Sequence, residues 1–216
     1  MKKQKNFNSN GSPKQGYWYR KTPEILLDDE IDLLLQEAMN HSHRDYTLIL
    51  FALSTGLRNS EVVGLNIENV FPYGTSVSIL DLPARIAKDK KPRKIPLNLD
   101  IRAVFDIYYS EEFTAGRITG GEFPLFRSKY TNNRLGPRDF QQILRRHSIN
   151  SLKSPCNPHK LRHTFATKLL SQSNIKIVQE LLGHTCLQST QIYLHPSSSD
   201  KIDAVNRLKF GVKRKE

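Results

Sequence analysis

Long apolar runs are missing. Nothing in the 216 residues approaches the roughly 18 consecutive apolar positions of a membrane-spanning helix. The opening stretch, MKKQKNFNSNGSPKQGYWYRK, is basic but has no apolar core, so it is no secretory signal and a cytoplasmic location is expected. Cysteine is scarce: Cys156 and Cys186 are too few to staple a chain of this size, which excludes a disulfide framework. Acids are outnumbered. Twenty-one Asp and Glu against 33 Lys and Arg leave a net charge of +12, which points to a polyanionic partner, most often nucleic acid. No internal repeat and no boundary between large domains is visible.

The charge is unevenly spread. Residues 1–22 carry Lys2, Lys3, Lys5, Lys14, Arg20 and Lys21 and no acid, and read as a flexible basic arm. The stretch with Arg85, Lys88, Lys90, Lys91, Arg93 and Lys94 holds one acid, Asp89. Glu24 to Glu37 is acidic. Each run alone could be a solvated face; the overall excess favours DNA or RNA.

Helical spacing dominates the chain beyond the arm. Asp28, Asp29 and Glu30 suit the first turn of a helix striped by Ile31, Leu34, Leu35 and Ala38. Arg44 to Ser54 is apolar nearly all round, which predicts a core helix ending at Thr55-Gly56. A restart at Leu57-Arg58-Asn59-Ser60-Glu61, capped by Asn59 or Ser60, places Arg58 at the joint. There it is either a fork tying backbone carbonyls or a phosphate clamp. Asn69–Phe71, Val77–Leu80 and Arg93–Leu97 read as a three-stranded antiparallel meander. Further helices are expected at 100–109, 137–149, 159–171, 175–182, 187–193 and 199–208. The fold class is mainly α with a small three-stranded antiparallel β-sheet.

The informative stretch is HKLRHTFATKLLSQSNIKIVQELLGHTCLQSTQIY, from His159 to Tyr193. His159 and Arg162 are three apart and share a helical face, while Lys160 and His163 point elsewhere. The cation beside His159 favours a neutral base. Arg162 offers a fork to two phosphate oxygens. His184 follows Leu-Leu-Gly, and Tyr193 lies nine residues on. A plain helical domain has no use for this set, but a tyrosine attacking a phosphodiester does: it needs a base, cations and a phenol.

Taken together, Thr55-Gly56-Leu57-Arg58-Asn59-Ser60-Glu61, Lys88, His159-Lys160-Leu161-Arg162-His163, Leu181-Leu182-Gly183-His184 and Tyr193 resemble the tyrosine recombinase (phage integrase) family in order and interval. The resemblance implies that family's catalytic-domain fold over residues 23–208, with the arm at 1–22 and a basic tail at 209–216. It implies a site-specific DNA recombinase, working in integration, excision or inversion. Tyr193 would be the nucleophile, forming a 3′-phosphotyrosine link and freeing a 5′-hydroxyl. Arg58 and Arg162 would clamp the scissile phosphate, with a further hydrogen bond from His184. His159 would be the general base and Lys88 the general acid. Glu61 would support the first arginine. The partner would be double-stranded DNA, bound by a homotetramer on two sites, with accessory DNA-bending proteins conceivable. Phosphotyrosine stores the bond energy, so no cofactor is implied, neither ATP nor metal.

Some choices stay open. Lys90 or Lys91 could replace Lys88, because Pro83 and Pro92 perturb the register; the distance to Ile95-Pro96-Leu97 favours Lys88. Arg138, Arg145 and Arg146 suit a helix that reads a DNA groove or backbone. Family members usually carry an N-terminal DNA-clamping domain; here some 22 residues precede the catalytic region, as in a minimal recombinase or a truncated chain. Three competing readings remain. A non-catalytic DNA-binding regulator would have no use for a nucleophile. A type IB topoisomerase-like nicking-closing enzyme would share the chemistry without strand exchange. A zinc protein using Cys156, His159, His163, His184 and Cys186 lacks Cys-x2-Cys spacing and leaves the arginines and the tyrosine unexplained.

Overall fold

The computed structural model describes residues 24–183. The basic arm, His184, Tyr193, the helices expected after residue 183 and the tail lie outside the described residues. The elements are α1 (Asp28–His41), α2 (His43–Thr55), α3 (Asn59–Gly64), α4 (Ile67–Val70), β1 (Ile79–Leu82), β2 (Arg93–Pro96), α5 (Leu99–Thr114), α6 (Pro137–Leu152), α7 (Pro158–Leu170) and α8 (Ile175–Leu182). No described helix is long and apolar enough to cross a membrane.

The apolar run after Arg44 becomes the central helix. α2 packs against α1, α5 and α7, and buries Leu48, Ile49, Phe51 and Ala52. Phe51 sits 5.0 Å from Phe105 of α5, ring centre to ring centre. Such aromatic burial carries much of a core's apolar area. α6 closes the other side of α1. The α2–α6 contact is polar: Asp45, 1% exposed, receives Arg44, Arg146 and His147. Burial pushes the Asp45 carboxyl up, but the His147 hydrogen bond and the Arg44 charge outweigh it and hold the pKa at about 2.

The sheet has two strands among the described residues, not three. β1 and β2 pair antiparallel, with Leu80 opposite Ile95 and Leu82 opposite Arg93. The stretch expected as a first strand is instead the helical turn α4. Asn66 and Asn69 decide this, since asparagine is a poor strand former and a good cap. The Asn66 N–H donates to Asn69 Oδ1 at 2.8 Å. Ile67 and Glu68 donate to Phe123 and Gly121, which leaves one isolated bridge, Asn66 to Pro124, where a strand was expected. Phe71 then stacks on Tyr109 instead of entering a ladder.

Candidate active site

Three arginines converge on the C-terminal end of α8. Each comes from a different element and each donates to a different carbonyl. Arg93 Nε reaches Leu181 O at 3.2 Å, Arg162 Nη2 reaches Leu182 O at 2.7 Å, and Arg58 Nη2 reaches Gly183 O at 3.2 Å. The last carbonyls of a helix lack intrahelical partners and carry its negative end, so guanidinium groups settle there. His184 is the next residue in the chain, so the cluster grips the backbone immediately before it.

Glu61 holds the cluster together. Its side chain is fully buried. Oε1 accepts from Arg58 Nη1 at 3.0 Å and Arg93 Nη1 at 3.1 Å; Oε2 accepts from Arg93 Nη2 at 2.7 Å and the Arg58 backbone N–H at 2.8 Å. Burial raises this carboxyl's pKa, but the Arg93 bonds, the Arg58 N–H and both charges bring it below the ordinary 4.5. Neither Asn59 nor Ser60 caps α3. Arg58 is the N-cap, and Glu61 reaches back to its N–H. Among the described residues, three guanidinium charges here face one carboxylate, which leaves this part of the cluster cationic.

Arg162, 5% exposed, spans from α7 to two backbone turns: Nη1 donates to Gly56 O at 2.7 Å and Nη2 to Leu182 O. The carbonyl-tying fork considered for Arg58 is thus most complete at Arg162. The Thr-Gly-Leu-Arg turn that presents Gly56 O has no room for another residue. Gly56 has φ +60°, and a Cβ there would lie 2.2 Å from Phe165 Cδ1. Gly56→Ala adds left-handed strain of about 1–2 kcal/mol and overpacking of about 1–3 kcal/mol. A fall of roughly 5 °C or more in thermal midpoint is expected by circular dichroism; an unchanged midpoint would mean the turn is looser than described.

His159 is exposed in the first turn of α7, which Asn157 caps through Oδ1 and Pro158 opens. His163 does not point away from it: their ring centres are 6.4 Å apart. Burial first, then the neighbouring His159 and Arg162, lowers the His163 pKa. Lys88 is exposed on the β1–β2 connection. The adjacent Ala87 is buried and Ile86 packs on Gly64, so the turn from Pro83 is anchored and its lysines face outward. Lys90 and Lys91 are exposed too. Among the described residues the structure therefore gathers Arg58, Arg162 and Glu61, places His159 three residues from Arg162, and leaves Lys88 on a neighbouring loop. His184 and Tyr193 lie outside the described residues.

Arg93 is the residue that sequence reading passed over, grouped there with the loop lysines. Strand alternation would have found it: Ile95 and Leu97 are buried, so Arg93 shares the inward face. The zinc reading finds no support at Cys156. Burial pushes that thiol's pKa up to about 11, which disfavours the thiolate a metal needs. Cys156, His159 and His163 form no metal-binding group among the described residues.

The chain is similar to known proteins. Residues 24–200 match the phage integrase family. A tyrosine recombinase of Pseudothermotoga lettingae is 35% identical over 191 residues, covering 88% of this chain and 62% of that protein. Tyrosine recombinase XerD of Oceanobacillus iheyensis is 32% identical over 181 residues, covering 82% and 59%. The chain thus spans about three fifths of the length of these relatives. Among solved structures, a XerA recombinase superposes with TM-score 0.70 at 25% identity, covering 88% of this chain and 68% of that one. A XerH site-specific recombinase bound to its difH substrate gives TM-score 0.67 at 22% identity, covering 94% and 59%.

Proposed function

The chain belongs to the phage integrase family of tyrosine recombinases, and on that footing we propose that it cuts and rejoins double-stranded DNA through a phosphotyrosine intermediate. The observation that carries this reading is the cationic cluster of Arg58, Arg93 and Arg162 at the end of α8, with Arg58 and Arg93 held by one buried carboxylate. Arg58 keeps N–H groups beyond those given to Glu61 and Gly183, on a side chain that is 20% exposed. A phosphate placed there meets fixed cations that need no reorganisation as charge builds on its oxygens. His159 takes the phenol proton, Tyr193 attacks phosphorus, and the 5′-oxygen leaves with a proton from Lys88. His184 adds a donor to the phosphate. The reverse attack by a 5′-hydroxyl from a second duplex completes strand exchange. A tetramer on two sites is the assembly that allows it, and the exposed Arg138 and Arg145 suit contacts to DNA backbone.

The test is covalent trapping. The protein is incubated with nicked duplexes taken from DNA flanking its gene, in EDTA, and denatured in SDS. A DNA-linked band supports the reading. DNA binding without any band would favour a regulatory protein, and relaxation of supercoils without joint products between two sites would favour a nicking-closing enzyme.

Lys88 can be tested by its chemistry. Lys88→Met should slow cleavage about 100-fold or more, within the range for loss of a general acid. A substrate with sulfur at the 5′ leaving position should restore it, because a thiolate leaves without protonation. Lys90→Met and Lys91→Met should weaken DNA binding with little change in cleavage. Rescue in either of those instead of Lys88→Met would reassign the acid.

A further inference from the structure

Away from the arginine cluster, α1 and α6 bring together a second group of chemically able side chains. Glu37 and His41 stand one turn apart near the end of α1, and His147 reaches them from α6. One candidate ligand atom from each lies within 4.8 Å of the other two. A half-buried Glu beside an exposed His at this spacing is ordinary surface chemistry by itself. The third member is not: His147 is fully buried, and its Nδ1 is a buried polar atom with no hydrogen-bond partner.

The other ring nitrogen explains what Nδ1 can do. His147 Nε2 lies 3.0 Å from Asp45 Oδ2. That carboxylate is ionised and can only accept, so Nε2 carries the hydrogen. With Nε2 holding its hydrogen, Nδ1 is the ring nitrogen left to offer a lone pair to a metal ion. A carboxylate behind a histidine, fixing tautomer and ring orientation, is the outer-shell arrangement of histidine metal ligands. The Arg44 and Arg146 charges sit on Asp45, with Arg146 Nη2 3.5 Å from Nε2 and so on the far nitrogen of the ring. On the near side the charge is the Glu37 carboxylate. Its Oε1 lies 3.4 Å from His41 Nδ1, close to the edge of a tetrahedron with bonds of about 2.0–2.1 Å. Asn150 Nδ2 donates to the same oxygen at 2.9 Å and steadies the carboxylate.

We propose that Glu37, His41 and His147 form a binding site for a divalent transition-metal ion, Zn2+ by the chemistry of its donors, that ties the end of α1 to α6. Two imidazoles and one carboxylate suit zinc and not calcium or magnesium, which take oxygen sets. Three protein ligands leave a fourth position to water. The site shares no residue with the arginine cluster, so the ion acts as a clamp between helices and takes no part in cutting DNA. His41, exposed at the helix end, supplies the movement that closes the remaining distances.

The test uses the full chain stripped with chelator, titrated with Zn2+ alone by calorimetry and followed by thermal unfolding. One ion per chain and a raised unfolding midpoint are expected. His41→Ala and Glu37→Gln, neither at a buried position, should weaken binding at least about 10-fold, the smaller cost seen even for loss of an outer-shell partner. Their midpoints should not respond to Zn2+. Co2+ in place of Zn2+ should give d–d bands without thiolate charge transfer. Absence of binding by the unaltered chain, undiminished binding by both variants, or a thiolate band would each overturn the site.

Discussion

Tyr193→Phe is expected to abolish the DNA-linked band completely while leaving duplex affinity unchanged. The change removes one oxygen, the atom that bonds to phosphorus on the proposed reading. On that reading the arginine cluster stabilises charge, and an arginine supplies no nucleophile. On the same reading affinity rests on cation–phosphate contacts, and the substitution changes no charge; its salt dependence should be that of the unaltered chain. The core phenol Tyr108 is a poor substitute. Tyr108 is buried, donates to Leu125 O at 3.2 Å, and has its pKa pushed up by burial, so it is held as a neutral core phenol. Peptide mapping of the adduct checks the assignment. A band of normal intensity from Tyr193→Phe would move the nucleophile elsewhere in the chain.

Glu61→Gln is expected to damage both stability and chemistry. In the folded protein one fully buried carboxylate answers two guanidinium groups, Arg58 and Arg93, whose side chains are 20% and 10% exposed. Removing one partner of a buried ion pair typically costs about 3–5 kcal/mol, because the remaining charges stay buried without compensation. Urea unfolding should read that loss. The chemical effect is separate. Arg58 is positioned by Glu61 through its guanidinium and its backbone N–H, so adduct formation per folded molecule should fall about 100-fold or more, the scale for loss of a fixed charge-stabilising donor. Normal adduct formation in the folded fraction would reduce Glu61 to a purely structural role. Acid adds a second check. The Glu61 pKa is lowered on folding, so its contribution is complete above 4.5 and is lost as pH falls through the folded value. Glu61→Gln should lack that part of the acid dependence.

The sequence alone determined most of the described elements and the family. Apolar spacing marked α1 and the all-round apolar α2. The helix expected at 159–171 is α7, which starts one residue earlier because Asn157 caps it and Pro158 opens it. The intervals among Arg58, Lys88, His159, Arg162, His184 and Tyr193 pointed to phosphoryl transfer, since residue types and order are one-dimensional facts. The sequence could not decide between strand and turn at 66–71, where capping by Asn66 and Asn69 and bonds from Ile67 and Glu68 to residues 121–123 overrode the β-branched pattern. Nor could it show that Arg93 belongs with Arg58 and Arg162, on elements far apart in the chain, or that Glu61 serves Arg93 as well as Arg58. Those pairings are tertiary. They arise where β2 and the end of α8 meet α3 and α7, and where one buried carboxylate and three unpaired carbonyls must find donors. The same holds for His147: only folding buries it against Asp45 and sets it beside Glu37 and His41, because a buried polar atom is a property of the packed structure and leaves no mark in the order of residues.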